Sequence, residues 1–459
     1  MKHIFVTLLA AALSISAAWA VDFNAFYKDL PFPVQAPAQV QIPASSVSIL
    51  DFGGNGDGIA DNTEAFANAL AALEKMGGGR LNVPRGIFLT GPIVLKDRME
   101  LHLERGAMIL FTPDRAVYIN KGRAVPCISA SKRCDIAITG EGVIDGNGAF
   151  WRPVKRSKVS DVEWKDYQRM GGTVIDNKLW YPFELKHIPD IAGNPKDQEK
   201  MRNHLIRFTD CERILVEGVT LQNSPKFHLV PQRCKDVTLS GITVRCPWNA
   251  QNGDGIDLMN TSRVLIARCM VDVGDDGICL KAGAGQDGFD RGPCEDILIV
   301  ENTVFHAHGG FVIGSEFSGG VKNTVVRGNT FSGTDTGLRF KSAPERGGKT
   351  ENLSISDITM NGIRDEAIVF ETSYADRPAG NENAQAAKTK NWLPEFAGID
   401  IRNVVCRDCR IAVRASGSAS EIHDNTISDS VFFFSEKGLD SAPGMLRLKG
   451  VRMVTYPAQ

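Results

Sequence analysis

The stretch Ile214–Leu221 reads ILVEGVTL, and its pattern returns as VTLSGITV at Val237–Val244 and as ILIVENTV at Ile297–Val304. Each copy has a short run of alternating apolar residues, a turn residue such as Gly218, and a second short run. Further copies begin at Val264, Thr324, Leu353, Ile399 and Glu421. The aligned turn residues at 218, 241, 268, 301, 328 and 357 are 23 to 33 residues apart, so the chain is an irregular repeat of paired strands.

This repeat is too short for a strand–helix–strand unit, and no amphipathic helices lie between the strands. The simplest architecture is a right-handed parallel β-helix, an all-β solenoid in which each coil stacks its strands on the next. Gly and Asn at the turns supply the left-handed backbone conformation that sharp corners need. A β-propeller is the alternative architecture, but it requires four strands in a repeat of about 40 residues or more.

A solenoid needs its open ends covered. Residues 51–76 are the expected N-terminal cap, with a helix over 61–76 that starts at the capping-box-like Asp61-Asn-Thr-Glu64. The apolar stripe of this helix consists of Ala65, Phe66, Ala69, Leu70 and Leu73. We therefore expect residues 21–459 to form a single β-helix catalytic domain with a short capping helix.

Two stretches interrupt the repeat. Residues 150–205 carry several aromatic and basic side chains, among them Trp151, Lys158 and Trp180. They form either a segment beside a cleft or a solvated loop packed by its own aromatic residues, and the sequence does not decide between these. The second interruption, from Tyr374 to Trp392, is polar.

Composition excludes several classes of partner. The chain has 459 residues, of which 43% are hydrophobic, enough for a large core. Its 52 basic and 54 acidic residues give a formal net charge of −2, so the whole protein does not attract nucleic acid or anionic membranes. A polyanionic ligand must therefore be recognised by a local basic cluster.

The N-terminus has the features of a cleavable signal peptide. Lys2 and His3 precede an apolar run, Ile4 to Ala18, and Ala18-Trp19-Ala20 has the small–any–small pattern of a cleavage site. An anchoring helix is the alternative, but the apolar run is short and no charged residue stops it. We expect residues 1–20 to be removed and the mature chain to be secreted or periplasmic, soluble and monomeric.

Ten cysteines are compatible with disulfides in that compartment. The candidate local bridges are Cys127 with Cys134, Cys211 with Cys234, and Cys406 with Cys409. Cys269 and Cys279 fall on apolar strand positions instead, and we expect them to be buried thiols.

Two acidic motifs lie about one coil apart, Asn252-Gly253-Asp254 and Gly274-Asp275-Asp276-Gly277. Neighbouring strands of a parallel sheet are about 4.8 Å apart, so side chains at matching corners lie within several ångströms of each other. Carboxylates this close cannot all ionise normally, and we expect a raised pKa on at least one of them. The result is a proton donor beside an ionised base, which is what glycoside hydrolysis requires.

An imidazole and two cations follow the acidic motifs. His308, next to Gly309, is the candidate partner that tunes the acid by hydrogen bonding. Arg339 and Lys341 flank Phe340 on an alternating strand, so both cations face outward while Phe340 faces the core. A bidentate clamp on a uronic acid carboxylate fits this pair, whereas an ordinary solvated strand face is the alternative.

Two further side chains are candidate substrate contacts on weaker grounds. Lys281, in Cys279-Leu-Lys281, is expected to point outward by the same alternation. Tyr374 follows an apolar strand and either stacks on a sugar, hydrogen-bonds to it, or simply packs against the protein.

Two other interpretations of the aspartates stay open. Asp and Asn side chains commonly cap turns, so any one of these residues taken alone is better explained as a structural cap. Grouped aspartates also bind calcium, and calcium would fit a polysaccharide lyase. No flanking helices or bidentate Glu support a calcium loop here, so we expect no metal and no cofactor.

Taken together, these motifs resemble glycoside hydrolase family 28, the polygalacturonases and related pectin hydrolases. The family pattern is Asn-x-Asp, Gly-Asp-Asp, Gly-His-Gly and Arg-x-Lys in this order. Here the motifs are Asn252-Gly253-Asp254, Gly274-Asp275-Asp276, Ala307-His308-Gly309 and Arg339-Phe340-Lys341. The departures are Gly253, where Thr is usual, and Ala307, where Gly is usual, and neither removes a reacting group.

The resemblance implies a role for each residue. Asp275 would be the general acid, while Asp254 and Asp276 position and deprotonate the attacking water, which inverts the anomeric centre. His308 would assist the acid. The implied substrate-binding residues are Asn252, Lys281, Arg339, Lys341 and Tyr374.

Three functions remain in order of preference. The first is a pectin hydrolase acting on α-linked galacturonate, in which the interruption at 150–205 suggests a blocked cleft and action from a chain end. The second is a lyase of the same fold, which would leave an unsaturated product. The third is a β-helix that binds a polysaccharide without cleaving it.

Overall fold

The computed structural model describes residues 23–185, 195–374 and 392–455. The expected signal peptide, residues 1–20, lies outside these ranges, and so does most of the second interruption, 375–391. Within the described ranges, no helix combines the length and the apolar character needed to cross a membrane.

The described chain winds into a parallel β-helix, which confirms the predicted fold class. Its coils contribute strands to three parallel sheets, which we name A, B and C. In sheet A, for example, Leu229–Gln232 pairs with Ile256–Met259, which in turn pairs with Ile278–Lys281. Residues more than 20 positions apart in sequence thus lie on neighbouring strands.

Sheet A contains Ile93–Val94, Ile128–Ser131, Ile206–Thr209, Leu229–Gln232, Ile256–Met259, Ile278–Lys281, Gly309–Ile313, Thr336–Lys341 and Glu366–Glu371. Sheet B contains Ser46–Ser48, Gly79–Val83, Met99–Leu103, Cys134–Gly140, Glu212–Glu217, Lys235–Ser240, Ser262–Ala267, Cys294–Val300, Val321–Arg327, Asn425–Ser428 and Leu446–Lys449. Sheet C contains Asp57–Asp61, Gly86–Thr90, Ala107–Phe111, Val143–Asp145, Thr220–Gln222, Thr243–Arg245, Met270–Asp272, Thr303–Val304, Thr330–Ser332 and Arg452–Thr455. Three long strands turn corners and pair in more than one sheet: Thr350–Asn361, Ile399–Ser416 and Val431–Ser441.

Short elements complete the described chain. The α-helices are Thr63–Lys75, Asp161–Arg169, Pro195–Lys200 and Gly285–Arg291, and the 3-10 helices are Phe23–Tyr27, Ile49–Phe52, Arg115–Tyr118, Gly148–Phe150 and Arg156–Lys158. Two-residue strands also pair outside the three sheets, Ile119–Asn120 with Arg123–Ala124 and Phe396–Ala397 with Ile422–His423.

The aligned turn residues all adopt the left-handed conformation. The φ angles at Gly218, Gly241, Arg268, Glu301, Gly328 and Asp357 lie between 56° and 75°. This conformation costs a non-glycine residue roughly 1–2 kcal/mol, so at Arg268 and Glu301 the stacking of the coils imposes it. These two side chains also pair across the corner, with Arg268 Nε 2.8 Å from Glu301 Oε2.

Inward-facing side chains fill the interior of the coils. Phe340 stacks on Phe370 with ring centroids 4.5 Å apart, so Phe340 faces the core as predicted. At a buried corner, Asn302 Nδ2 donates to Asn329 Oδ1 of the next coil at 2.9 Å. Stacked aromatic rings and this amide contact align successive coils, and they fix the register that positions the residues of sheet A.

The helix Thr63–Lys75 covers the N-terminal end of the coils, as predicted. Its buried residues are Ala65, Phe66, Ala69, Leu70 and Leu73, the same stripe that the sequence indicates. The capping box from Asp61 to Glu64 is absent, because Asn62 is the N-cap and makes no side-chain cap bond. The Asn62 amide instead donates to the backbone carbonyls of Asn55, Ala60 and Leu89.

Residues 150–205, which we call the insert, have a small core of their own. Val154–Lys155, Leu179–Tyr181 and Thr173–Ile175 form an antiparallel sheet. Against it pack the indole of Trp164 and the ring of Tyr167. The insert is therefore a folded unit within its described residues.

Residues 23–45, which we call the N-terminal strap, cross the outer face of sheet B. Phe26 packs on apolar side chains of that face, including Leu265 and Leu298. Further along the strap, backbone N–H groups donate to two aspartates, that of Ala38 to Asp236 at 2.9 Å and that of Gln41 to Asp135 at 3.0 Å. The strap thus ties several coils together from outside.

Bidentate ion pairs follow the strap along sheet B. The pairs are Asp135 with Arg213, Asp210 with Arg233, and Asp236 with Arg263. In each, Nε and Nη2 of the arginine donate to the two carboxylate oxygens, so both oxygens are used.

All ten cysteines are free thiols, so the three candidate disulfides were wrong. Cys127 and Cys134 flank the strand Ile128–Ser131, which separates them by more than about 10 Å at 3.3 Å per residue, beyond the reach of a disulfide. Other thiols engage backbone carbonyls, as Cys234 Sγ does with that of Phe208 at 3.4 Å. Cys269 and Cys279 are buried, as predicted.

Candidate active site

The acidic motifs lie at the ends of two sheet A strands. Asp254 and Asp276 each precede a strand by two residues, and the register of these strands places them at matching positions. Asp275 matches His308 on the following coil, where the His308 N–H donates to the Asp275 carbonyl at 2.9 Å. The predicted match of Asp254 with Asp275 is therefore off by one residue, but the acids do lie on adjacent coils.

Asp254 is buried, and it shares the ammonium of Lys281 with Asp257, a residue of the strand Ile256–Met259. Lys281 Nζ lies 2.9 Å from Asp254 Oδ2 and 2.7 Å from Asp257 Oδ1. Lys281 leaves the outer face of sheet A as predicted, but its ammonium is buried between two carboxylates. Its predicted substrate contact stays a prediction, while its observed contacts hold Asp254 in place.

Asp276 is paired in the same way with the downstream cations. Lys341 Nζ lies 2.8 Å from Asp276 Oδ2, and Arg339 Nη1 lies 3.8 Å from Asp276 Oδ1. Within the described chain, Asp276 Oδ1 and Asp254 Oδ1 are buried and have no hydrogen-bond donor. Each of these two carboxylates therefore has one oxygen without a donor among the described residues.

Asp275 is held by the imidazole. His308 Nδ1 lies 3.1 Å from Asp275 Oδ1, which places the predicted partner beside the predicted acid. On the other side of the ring, His308 Nε2 is 3.3 Å from Lys158 Nζ and 3.9 Å from Asp335 Oδ2. Lys158 comes from the insert, so the insert directly contacts the motifs that contain Gly274 and His308.

The electrostatics of the carboxylates differ. Burial raises the pKa of Asp254 well above its usual range, although Lys281 opposes the shift. Burial also raises the pKa of Asp257 to about 6. At Asp275, burial is outweighed by the hydrogen bond and charge of His308 and by Lys341, and its pKa lies below the usual range. The charge of Lys341 outweighs burial at Asp276 in the same way and lowers its pKa. The pKa of Asp254 is therefore shifted upward, whereas the pKa values of Asp275 and Asp276 are shifted downward.

Two predicted substrate contacts border this group. The ring of Tyr374 faces both cations, with its centroid 5.4 Å from Arg339 Cζ and 5.1 Å from Lys341 Nζ. Asn252 accepts a hydrogen bond from Arg202 Nη2 of the insert at 2.8 Å. Whether these side chains bind a ligand stays a prediction, but both lie next to the acids or the cations.

The local packing accounts for the glycine and alanine that depart from the family pattern. A Cβ at Gly253 would lie 2.8 Å from Cys246 Sγ, so another residue of the same connection between strands already fills the space of a side chain there. Ala307 is buried in the main core. Gly253 thus has no room for a side chain, and the Ala307 methyl packs into the core.

The insert contacts the β-helix before the acids and again at His308, where a cavity begins. Buried Arg152 and Arg202 anchor the insert to the corners before two sheet A strands, through Asn223 and Asn252. A cavity of about 380 Å³ extends from His308 past Arg339 towards the C-terminal coils. Its other lining residues are Asp335, Thr336, Asp365, Glu366, Val369, Glu371, Tyr374, Arg410 and Arg414. The described cleft is therefore bordered by the insert on its N-terminal side and continues on its C-terminal side.

Among the described residues, the calcium alternative finds no suitable set of donors. Asp275, Asp276 and His308 can bring one ligand atom each within 4.8 Å of one another. Calcium prefers six to eight oxygen ligands, but this group includes an imidazole. In addition, the ammonium of Lys341 contacts Asp276, and that of Lys158 contacts His308, and such charges disfavour a bound dication. These residues do not fit a calcium site.

Sequence reasoning missed three residues of the site. Asp257 is a charged residue inside the otherwise apolar strand Ile256–Met259, a signal that the alternation pattern provides. Gly314 lies between the lysines of sheet A, and a Cβ there would come 3.1 Å from Lys281 Cγ. Lys158 gave no such signal, because only the folding of the insert brings it to His308.

Comparison with known proteins agrees with this geometry. The sequence model of glycosyl hydrolases family 28 matches residues 170–394. An exopolygalacturonase from Thermotoga maritima of known crystal structure is 31% identical, with a TM-score of 0.75, and the match covers 91% of this chain and 94% of that one. An exo-poly-α-D-galacturonosidase from Dickeya chrysanthemi is 27% identical over 86% of this chain and 67% of its own length. An endo-polygalacturonase from Pectobacterium carotovorum is also 27% identical, over 77% and 80%.

Fold and site together define a glycoside hydrolase built on a parallel β-helix. The chain belongs to glycosyl hydrolases family 28, as the extent of these matches shows. It is a polygalacturonase-like enzyme, which confirms the resemblance and the enzyme class predicted from the four motifs.

Proposed function

We propose that this protein hydrolyses α-linked galacturonic acid in pectin, from a chain end and with inversion at the anomeric carbon. The observation that carries the proposal is the pair of buried oxygens, Asp254 Oδ1 and Asp276 Oδ1, beside the cations Arg339 and Lys341. Oxygens without a donor can hold a water molecule, and the cations match the carboxylate of a uronic acid.

The attacking water binds between Asp254 and Asp276. Asp276 is ionised beside Lys341, so it is the carboxylate that removes the proton of the water. Asp254, whose pKa burial raises, orients the water through its second oxygen. An inverting hydrolase must both orient the attacking water and deprotonate it, and here Asp254 does the first and Asp276 the second.

Asp275 is the acid that protonates the leaving oxygen, and it acquires its proton when substrate binds. In the free protein its pKa is held low by His308 and by the charges of Lys341 and Lys158. A uronate carboxylate bound at Arg339 and Lys341 offsets positive charge near Asp275, so the pKa of Asp275 rises. Charge on the substrate thus prepares the acid for catalysis.

Action from a chain end is supported by the position of the insert. Its residues reach Asn252, just before the first acid, and His308, on the coil after Asp275, while the cavity continues past Arg339 towards the C-terminal coils. The similar proteins from Thermotoga maritima and Dickeya chrysanthemi are named as exo-acting. We further propose that the protein is a monomer exported through residues 1–20, as their composition indicates.

Product analysis on polygalacturonate tests this function. We expect galacturonate or a single short oligomer from the first minutes, a slow fall in viscosity, and a β-configured initial product by proton NMR. Activity should persist in a chelator, and no unsaturated product should appear. An ultraviolet-absorbing product would establish a lyase, and binding without new reducing ends would establish a non-catalytic protein.

Leaving-group dependence tests the separate roles of Asp275 and Asp276. An acid is dispensable when the leaving group is already a weak base, so Asp275→Asn should retain much more activity on nitrophenyl galacturonide than on digalacturonate. Asp276→Asn should be inactive on both, because water must still be deprotonated. If Asp254→Asn shows the rescue instead of Asp275→Asn, the acid is Asp254.

A further inference from the structure

Lys158 is the side chain of the insert that reaches the reacting groups. Its Nζ donates to the Gly274 carbonyl at 3.0 Å and lies 3.3 Å from His308 Nε2. The same imidazole contacts Asp275 through Nδ1. An ammonium, an imidazole and a carboxylate are therefore connected in series across the boundary between the insert and the β-helix.

The chemistry of this series fixes the position of one proton. An ammonium has only donors, so the His308 nitrogen that it contacts must act as an acceptor. In the neutral ring the other nitrogen, Nδ1, then carries the proton and donates it to Asp275. Asp335 favours the opposite arrangement, but its Oδ2 lies 3.9 Å from Nε2, and its Oδ1 lies 3.6 Å from Arg364.

The local framework around Lys158 is well defined. Lys158 ends the 3-10 helix Arg156–Lys158, and two residues later Ser160 caps the helix Asp161–Arg169 in a reciprocal capping box with Glu163. This helix is attached to the β-helix by a hydrogen bond from Asn249 to Tyr167 at 3.3 Å. The ammonium is thus presented to His308 from a folded and anchored element.

We propose that Lys158 is a positioning residue for catalysis, which holds His308 in the Nδ1–H tautomer and so maintains its hydrogen bond to Asp275. The insert then has two functions, because it borders the cleft and also contributes Lys158, which contacts the imidazole beside Asp275. The kinetic part of this inference rests on the proposed role of Asp275, whereas the tautomer does not.

The direct test is the tautomer of His308, measured by nitrogen–proton correlation NMR on the full chain, with His308→Gln to assign the signals. We expect the Nδ1–H form in the wild type. In Lys158→Met the proton should shift towards Nε2, which then faces Asp335. Lys155→Met is the matched control, because Lys155 is an exposed lysine on the same segment, and its spectrum should be unchanged.

Kinetics on oligogalacturonate provide the second measurement. We expect kcat of Lys158→Met to fall about 10- to 100-fold, the scale of a misplaced catalytic group, with KM nearly unchanged. Lys158→Arg, which keeps the charge and a donor, should recover part of kcat and of the Nδ1–H signal. Lys155→Met should match the wild type.

The outcomes separate this inference from the proposed function. An Nε2–H ring in the wild type, or the same tautomer in Lys158→Met, overturns the inference even if the enzyme hydrolyses galacturonan as proposed. A large rise in KM with constant kcat also overturns it, because Lys158 would then be a substrate contact. If no substrate is cleaved, the proposed function fails while the tautomer measurement still decides the role of Lys158.

Discussion

The outer faces of sheets A and B both carry aspartates and cations on successive coils, but they differ in how the carboxylates are satisfied. On sheet B, Asp236 gives both oxygens to the guanidinium of Arg263. On sheet A, Asp254 has one oxygen on Lys281, and the other has no donor within the described chain. A lysine ammonium binds as a point charge and leaves one oxygen of the carboxylate available, whereas an arginine fork takes both.

This difference distinguishes the aspartates that stabilise the β-helix from those that we propose to act in catalysis. The sheet B aspartates that bind arginine have lowered pKa values. At Asp135, the hydrogen bond from Arg213 is the main cause. Burial with an incomplete set of partners raises the pKa of Asp254 instead. The sheet B aspartates bind arginines and the strap, while the sheet A aspartates keep oxygens without a donor in the described chain.

Replacing one aspartate on each face should give opposite results, and this is the largest effect that we expect. Asp254→Asn should lower kcat about 10²- to 10⁴-fold, the usual contribution of a group that assists proton transfer, without lowering Tm. Asp236→Asn should lower Tm and leave kcat close to that of the wild type, because it breaks a buried pair far from the cleft. The measurements are steady-state kinetics and thermal unfolding. Loss of activity in Asp236→Asn at temperatures where it is folded would remove the distinction.

The arginines of the two faces provide the next comparison. Arg339→Ala should reduce kcat/KM on oligogalacturonate about 10- to 100-fold, because a charged hydrogen bond to the substrate is worth about 1.5–3 kcal/mol. The loss should be much smaller on a substrate whose carboxylates are methyl-esterified. Arg263→Ala should leave kcat/KM unchanged and lower Tm. An equal loss on charged and esterified substrates would show that Arg339 does not bind the uronate.

The pattern of strands and turns predicted the fold, because the repeat is local in sequence. Corner positions such as Gly218 and Asp357, and the capping stripe with Phe66, could be read directly from residue type and spacing. The motifs also placed Asp254, Asp275 and Asp276 on adjacent coils. The sequence did not give the register to one residue, because coil length varies by several residues from turn to turn.

The parts of the site that the sequence did not reveal depend on contacts between distant segments. Lys158 is 150 positions from His308, and no local pattern connects them. The same holds for Arg202, which holds Asn252 from the far end of the insert. Nor does the sequence show which oxygens of an aspartate are satisfied, although that property distinguishes Asp254 from Asp236.

The pH dependence of catalysis should show that the acid is prepared by the substrate. The alkaline limb of kcat/KM reports ionisation of the acid in the free enzyme, and that of kcat reports it in the complex. The pKa of Asp275 is lowered in the free protein by His308 and Lys341, and a bound uronate opposes the lowering. We therefore expect the alkaline limb of kcat to lie at higher pH than that of kcat/KM. Coincident limbs would mean that the substrate's charge does not act on the acid.

The smallest effect, and the most direct probe of the comparison, is the pH dependence of stability. The pKa values of Asp135 and Asp236 are lowered in the folded protein, at Asp236 because the partners including Arg263 outweigh burial. Their contribution to the free energy of unfolding is complete above the unfolded pKa of about 3.9 and is lost as pH falls through the folded values.

Asp254 should act in the opposite direction. Its folded pKa is raised, so the folded state holds the proton more tightly, and stability falls as pH rises through the interval above about 3.9. The test is urea unfolding at pH 3 and pH 7. In the double variant Asp135→Asn/Asp236→Asn, the free energy of unfolding should fall less between pH 7 and pH 3 than in the wild type. Compared with the wild type, Asp254→Asn should gain more free energy of unfolding at pH 7 than at pH 3. If Asp254→Asn instead destabilises the protein at pH 7, its carboxylate is satisfied like those of sheet B, and the two faces do not differ in kind.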